Sequence, residues 1–325
     1  MARVFVTRTV APEAIEMLSK YAEIDTWDEL AQIPRQEFLR RIAGVDGILQ
    51  WGGDPIDGEA MDAAPNLKVI ANVSAGYNNI DVEAATKRGI RVSNTPGVVT
   101  GSTADLAFAL MLAIARRLVE MTEIVKNGEW REFGPMEILG HDVHGKTLGI
   151  IGMGRIGAAV ARRARGFDMK VLYQNRHRRD DEAEYGAEYV KDMPTLLRRS
   201  DFVSIHVPLS KETRHLIGAR ELSFMKPTAI LVNTSRGAVV DQQALYEALK
   251  RKQILAAALD VTDPEPMSPD DPMLKLDNVI VLPHIGTQSL TTSTNMSLMG
   301  AQNLIAGLKG KPMPNCVNCH LLGKK

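Results

Sequence analysis

Cysteine is scarce in this chain: the 325 residues hold only two, Cys316 and Cys319. That count excludes a disulfide-built scaffold and fits a reducing compartment. An excess of either charge is also lacking, since 39 Lys+Arg balance 39 Asp+Glu. A strongly basic nucleic-acid binder and an acidic disordered tail are thereby excluded. No run approaches the ~18 apolar residues of a membrane span. The first residues, MARVFVTRTVAPEAIEML, show no apolar stretch of signal-peptide length, so a cytoplasmic location is expected. No internal repeat and no low-complexity segment is found. The rest is ordinary for a folded protein: 45% hydrophobic and 24% charged residues support a full core. At ~100–200 residues per domain, the length predicts two domains.

Short β-branched runs alternate with helical patterns. In the first third, strands are expected at Arg3–Val6, Ile24–Trp27, Gly47–Leu49, Val69–Val73 and Arg91–Ser93, with helices around Pro12–Ser19, Arg35–Arg40, Gly58–Ala63 and Val82–Arg88. Ser102–Asn127 reads as one long helix, with Leu106, Leu110, Ile114 and Leu118 at i+4 spacing and a stop at Asn127-Gly128. An irregular arm follows over residues 128–145. A second array opens at Lys146, with strands at Thr147–Ile151, Lys170–Tyr173, Glu188–Val190, Phe202–His206, Ala229–Asn233, Ile254–Leu259 and Val279–Leu282. A last helix spans about Thr287–Leu308. Alternating strand and helix predicts parallel sheets covered on both faces. The fold class expected is α/β, with two Rossmann-like or flavodoxin-like parallel-sheet domains. One domain, 101–284, is inserted in a discontinuous one formed by 1–100 and 285–325.

The strongest motif is Gly152-Met153-Gly154-Arg155-Ile156-Gly157. It follows the strand KTLGII and precedes the helical AAVARRARGF and a further strand, KVLYQN, which is the βαβ context a dinucleotide fingerprint requires. Glycines allow the tight turn and close approach to a pyrophosphate, and the helix N-terminus supplies free N–H groups. After the next strand stands Gln174-Asn175-Arg176-His177-Arg178-Arg179, with no carboxylate before Asp180. An acidic residue there would accept the ribose hydroxyls of NAD. Asn175 cannot repel a 2′-phosphate, and Arg176 offers a guanidinium fork for one, so NADP(H) is favoured over NAD(H). The plainer alternative is a solvated loop balanced by Asp180, Asp181 and Glu182.

Three further segments fall at expected strand ends: Asn233-Thr234-Ser235-Arg236-Gly237, Asp260-Val261-Thr262-Asp263-Pro264-Glu265-Pro266, and Pro283-His284-Ile285-Gly286. Ligands of open parallel sheets bind outside the carboxyl ends of the strands. An Arg, a Glu and a His delivered there make a catalytic constellation. No metal is called for.

In order and spacing, GMGRIG, NTSRG, DVTDPEP and LPHIG resemble the D-isomer-specific 2-hydroxyacid dehydrogenase family, and within it the glyoxylate/hydroxypyruvate reductases. ANVSAGYNNID and NTPGVVTGSTADLAFAL extend the resemblance to the first third. It implies that Arg236 pairs with a substrate carboxylate and that His284 exchanges a proton with the substrate oxygen. Glu265 would orient His284 and favour its imidazolium form. It implies cofactor contacts from Thr103, Thr234, Ser235, Arg236, Asp260, His284 and Gly286, with Val207, Pro208 and Thr213 as further candidates. Trp51, Gly52, Gly53, Ser74, Ala75 and Gly76 would offer substrate-binding loops whose small residues let main-chain N–H groups converge on a carboxylate. The activity implied is NADPH-linked reduction of a small 2-oxo acid by a homodimer.

Two rivals are weighed. One is an NAD-dependent D-3-phosphoglycerate or other D-2-hydroxyacid dehydrogenase, opposed by Asn175-Arg176 and by the lack of an appended regulatory domain. The other is a nucleotide-sensing corepressor, opposed by the lack of long disordered extensions. Cys316-Val317-Asn318-Cys319-His320 matches the C-x-x-C-H haem pattern, but its context speaks against haem, and a flexible thiol tail is expected.

Overall fold

The computed structural model describes residues 1–29 and 31–322. It divides into two compact units, residues 1–99 with 288–325 and residues 100–287.

The first unit runs β1 (Ala2–Val6), α1 (Pro12–Ser19), β2 (Ala22–Thr26), α2 (Arg35–Ile42), β3 (Gly47–Gln50), α3 (Gly58–Ala63), β4 (Val69–Asn72), α4 (Val82–Lys87) and β5 (Arg91–Ser93). All neighbouring strands are parallel, in the order β2-β1-β3-β4-β5. β3 and β4 are buried along their whole length, which is why they read as unbroken apolar runs ending in a single polar residue. Phe5, Phe38, Ile42, Ile48, Ile56 and Ile70 fill one face. α2 and α3 contribute to that layer.

The second unit begins with α5 (Thr100–Ala115) and α6 (Leu118–Lys126). It continues through β6 (Thr147–Ile151), α7 (Arg155–Ala164), β7 (Lys170–Gln174), β8 (Ala187–Tyr189), α8 (Met193–Arg199), β9 (Phe202–Ile205) and α9 (Ala219–Leu222). It closes with β10 (Ile230–Asn233), α10 (Gln242–Lys250), β11 (Ala256–Leu259) and β12 (Val279–Val281). Its seven strands are all parallel in the order β12-β11-β10-β9-β6-β7-β8. The order reverses between β6 and β9, the switch point at which a doubly wound sheet opens its crevice. α11 (Leu290–Leu308) returns to the first unit and lies on β3 and β4, where Gly300 and Gly307 bring its backbone close to Val73 and Val69.

Two expectations are corrected. The long helix over 102–127 is broken: Arg117 takes a left-handed conformation (φ 54°), ending α5 and starting α6 on a new axis. Leu118 therefore leaves the apolar stripe and is 53% exposed. The C-terminal segment is not a loose thiol tail either. Cys316 and Cys319 form a disulfide, Cys316 makes an antiparallel bridge to Ser93 of β5, and the buried Asn318 bonds Val92 N, Ile90 O and Thr86 Oγ1. A side-chain amide satisfied at both ends in a buried place is a strong local anchor, and the spacing of the cysteines did not reveal it. Among the described residues no helix is long and apolar enough to cross a membrane.

Candidate functional site

At the switch point the loop after β6 turns at Gly152, whose φ is +90°. A Cβ there would lie 2.6 Å from Val207 Cγ1 and 2.8 Å from Val207 N, so the loop after β9 presses on the turn and admits only glycine. α7 then starts at Arg155 with no side-chain cap, which leaves its first N–H groups for a ligand, and space in front of Gly154 is open. Arg155 is exposed, while Met153 and Gly157 are buried behind the loop. Two orphaned polar atoms, Thr234 Oγ1 and His206 Nδ1, are buried in the segments that follow β10 and β9. The His206 imidazole, bonded through Nε2 to Ser204 Oγ at 2.8 Å, is pushed down to about 4 by burial and stays neutral. Thr213 ties the 208–213 loop together, donating to Pro208 O at 2.6 Å and accepting from Ser210 N at 2.7 Å. An uncapped helix start, an open glycine turn and an orphaned hydroxyl and imidazole nitrogen at the ends of neighbouring strands fit a dinucleotide.

The Asn175–Arg179 loop is more differentiated than its sequence. Asn175 turns inward: its Oδ1 accepts from Met153 N at 2.6 Å and its Nδ2 donates to Met153 O at 3.3 Å, clamping the glycine turn. Arg179 donates to the same Met153 carbonyl at 2.9 Å and pairs with Asp181. Arg178 pairs with Glu182. Arg176 is left with only a 3.9 Å approach to Glu212, its side chain 74% exposed, and His177 is exposed beside it. The acids expected to neutralise this loop thus hold Arg178 and Arg179, not Arg176.

The catalytic candidates converge. His284 stands at φ +56°, a conformation unusual for a residue with a Cβ. Its N–H bonds Asp260 O at 2.9 Å, and the following N–H groups of Ile285 and Gly286 bond the Asp260 carboxylate at 2.7 and 2.9 Å. Asp260 is buried, and burial pushes its carboxyl up, with those two N–H groups acting against the rise. Its observed work is to set the His284 turn; Thr103 lies buried next to Gly286. His284 Nδ1 is 2.9 Å from Glu265 Oε2. Burial would raise the Glu265 carboxyl, but the His284 hydrogen bond and charge, the Thr262 N–H and Arg236 together hold it below the ordinary value. An ionised carboxylate only accepts, so Nδ1 carries hydrogen, and Nε2 is the free face of a ring 43% exposed.

Arg236 follows β10 in an extended conformation, its Nη1 donating to Ser235 O at 2.7 Å. Among the described residues it has no salt-bridge partner. Burial lowers its pKa, partly offset by the charge of Glu265. A half-buried guanidinium with unfilled donors has the chemistry to receive a carboxylate. Asn233, which the sequence reading passed over, shapes this loop: its Oδ1 accepts from Ser235 N and Oγ, and its Nδ2 donates to Arg236 O at 3.0 Å. A buried polar residue closing an apolar strand was the available signal. A Cβ at Gly237 would collide with the Thr262 carbonyl, so Gly237→Ala should force apart the two loops carrying Arg236 and Glu265. A lowered Tm together with lost activity is the expected result, at a cost of about 1–3 kcal/mol for overpacking.

In the first unit, Trp51-Gly52-Gly53 follows β3 and Ser74-Ala75-Gly76 follows β4 at the carboxyl edge of the sheet. Gly52 and Gly53 are exposed, and Ser74, Ala75 and Gly76 are half-buried. Among the described residues no cluster of three or more His, Cys, Asp or Glu is arranged to hold a metal.

Comparison with known proteins follows the same lines. Residues 108–286 match the family model described as D-isomer specific 2-hydroxyacid dehydrogenase, NAD binding domain. The chain is 52% identical over 318 residues to a glyoxylate reductase of Korarchaeum cryptofilum, covering 97% of this chain and 96% of that protein. A solved structure of a Thermus thermophilus protein superposes with a TM-score of 0.92 at 45% identity, covering 97% of this chain and 99% of that one. An NADPH-dependent glyoxylate/hydroxypyruvate reductase of Sinorhizobium meliloti, solved with NADP and malonate, gives 0.85 at 31% identity, covering 97% of this chain and 96% of that one.

Proposed function

This chain belongs to the D-isomer-specific 2-hydroxyacid dehydrogenase family and is an NAD(P)-dependent oxidoreductase, and from that premise we propose that it reduces glyoxylate to glycolate, and hydroxypyruvate to D-glycerate, with NADPH preferred. The single observation that carries the reading is the bonded Glu265–His284 pair with Arg236, which has no salt-bridge partner among the described residues, on a nearby loop. A bound reduced nicotinamide supplies the hydride to C2 of the 2-oxo acid. Arg236 holds the carboxylate and draws electron density toward the keto oxygen. His284 Nε2 donates a proton to that oxygen as the alkoxide develops, and takes it back in the reverse direction. Glu265 keeps the ring oriented and compensates the imidazolium charge. The loops at Trp51-Gly52-Gly53 and Ser74-Ala75-Gly76 contribute main-chain N–H groups to substrate binding. A matrix of initial rates for NADPH and NADH against glyoxylate, hydroxypyruvate and pyruvate tests this; no NADPH oxidation with any of them defeats it.

NADPH preference rests on Arg176. It is the arginine of its loop that is left without a close acid, and an arginine–phosphate contact is a charge-assisted bond of ~1.5–3 kcal/mol. Arg176→Ala should therefore weaken NADPH roughly 10–150-fold and leave NADH nearly unchanged, measured by fluorescence titration. Asn175→Asp is the less clean test, because it removes the donor to Met153 O and so loosens the glycine turn as well. An NADPH Kd that stays put in Arg176→Ala removes the assignment.

A homodimer is part of the same proposal. α6 buries none of its residues, and Leu118, Val119, Val125, Trp130 (75% exposed), Met136 and Leu139 leave an apolar surface on α6 and the arm. Sedimentation velocity should give about twice the 35.6 kDa chain mass. A cytoplasmic setting also belongs here. Cell fractionation followed by glyoxylate-reductase assay tests it, and activity confined to a fraction other than the soluble cytoplasmic one removes it.

A further inference from the structure

We propose that four side-chain amides of the first unit, Gln50, Asn72, Asn79 and Asn94, are positioning residues that aim main-chain N–H groups at the carboxylate of the substrate. The inference deepens the reading above and rests on it, because it takes the 51–53 and 74–76 loops to bind that carboxylate.

The observation is a one-sided pattern of hydrogen bonding. In Ser74-Ala75-Gly76 every carbonyl is taken by the scaffold: Ser74 O accepts from Thr95 N at 3.0 Å, Ala75 O from Asn94 Nδ2 at 2.7 Å, and Gly76 O from Asn72 Nδ2 at 2.7 Å. In the other loop, Gly52 O accepts from Gln50 Nε2 at 3.4 Å and Asn79 Nδ2 at 3.3 Å, and the same two amides reach Asp54 O at 3.2 and 3.3 Å. Among the described residues no acceptor takes the N–H of Gly53, Ala75, Gly76 or Tyr77. A trans peptide is planar, with its C=O and N–H on opposite sides. Tying Ser74 O, Ala75 O and Gly76 O to the scaffold therefore turns the N–H groups of Ala75, Gly76 and Tyr77 the other way. Tying Gly52 O does the same for Gly53. Such convergent N–H groups make an anion nest, and a small 2-oxo acid brings the anion.

The scaffold sustains this arrangement at a cost. Gln50 and Asn72 close β3 and β4, are fully buried, and leave Oε1 and Oδ1 without partners. A buried amide with an unmade acceptor bond is destabilising, and two at adjacent strand ends call for a reason beyond turn formation. Each spends its donors on a carbonyl of a binding loop.

The test uses the full-length enzyme saturated with NADP and oxamate, an unreactive 2-oxo acid analogue, as probe. In the wild type, the backbone 15N–1H signals of Ala75 and Gly76 should shift on oxamate addition. Asn94→Leu keeps the γ-branched shape and removes the donor to Ala75 O. It should raise the oxamate Kd and the glyoxylate KM about tenfold, while the NADP Kd and kcat change by less than about twofold. Asn278→Leu serves as the structural control, since Asn278 also donates to two carbonyls, Leu249 O and Leu255 O, in the other unit. It should lower Tm without moving the oxamate Kd. Shifting signals with an unchanged oxamate Kd in Asn94→Leu overturn the positioning role and leave the loop reading standing. Equal loss of oxamate affinity in both variants also overturns it, as general destabilisation. Silent Ala75 and Gly76 signals in the wild type remove the loop reading itself, and the inference with it.

Discussion

His284→Ala lowers kcat for glyoxylate reduction by ~10²–10⁴-fold, the range lost when a general acid is removed. The prediction follows from what His284 touches. Nδ1 is committed to Glu265 at 2.9 Å, so the ring has one free nitrogen to offer a substrate oxygen. The turn that presents it is set by main-chain bonds to Asp260 and survives the substitution. NADPH affinity should stay near the wild-type value, because the glycine turn and α7 do not use the imidazole. Single-turnover stopped-flow at 340 nm with saturating cofactor measures the step directly. A wild-type kcat would falsify the acid role. Glu265→Gln gives the companion result: the amide holds the ring but no longer compensates its charge, so the loss of kcat should be intermediate.

Arg236→Lys raises the KM for glyoxylate although the charge is kept. The guanidinium presents a planar fork to a carboxylate, and an ammonium does not reproduce it. A hydrogen bond to a charged group contributes ~1.5–3 kcal/mol, so losing one arm should raise KM by roughly 10–150-fold. Arg236→Ala should do worse, since it also leaves the exposed Glu265 carboxylate, held low in part by Arg236, without that compensation. The NADPH Kd should barely move in either variant. Matching losses of cofactor and substrate affinity would transfer Arg236 to the cofactor side. The KM and Kd are separable here by titrating cofactor fluorescence in the absence of glyoxylate.

Much of the second unit was legible because its elements carry local signals. Buried parallel strands must be apolar throughout, so TLGII, ILVN and AAAL announce themselves, and each is followed by a segment that carries candidate site residues. The glycine turn is legible for the same reason: Gly152 is required by its own φ and by Val207 above it. The break between α5 and α6 was not legible. Ala-Arg-Arg-Leu has good helix propensity, and only the left-handed turn at Arg117 ends the stripe. The tail was misread because Asn318 is an anchor only by virtue of Thr86, Ile90 and Val92, more than 220 residues earlier.

Composition and order of motifs, by themselves, determined the fold class and placed the glycine turn and Arg236, Glu265 and His284 at strand ends as the candidates for the site, because these are properties of short segments and of the strands they follow. Tertiary structure alone decided which arginine of the Asn175–Arg179 loop stays free, since Arg178 and Arg179 face their acids and Arg176 does not. It alone decided that Asn175 clamps Met153, and that Gln50, Asn72, Asn79 and Asn94 hold loop carbonyls. An amide at a strand end looks the same in every sequence. What it does depends on which carbonyl the fold brings within about 3 Å of it, and that is set by strand order and loop path, not by the neighbours along the chain.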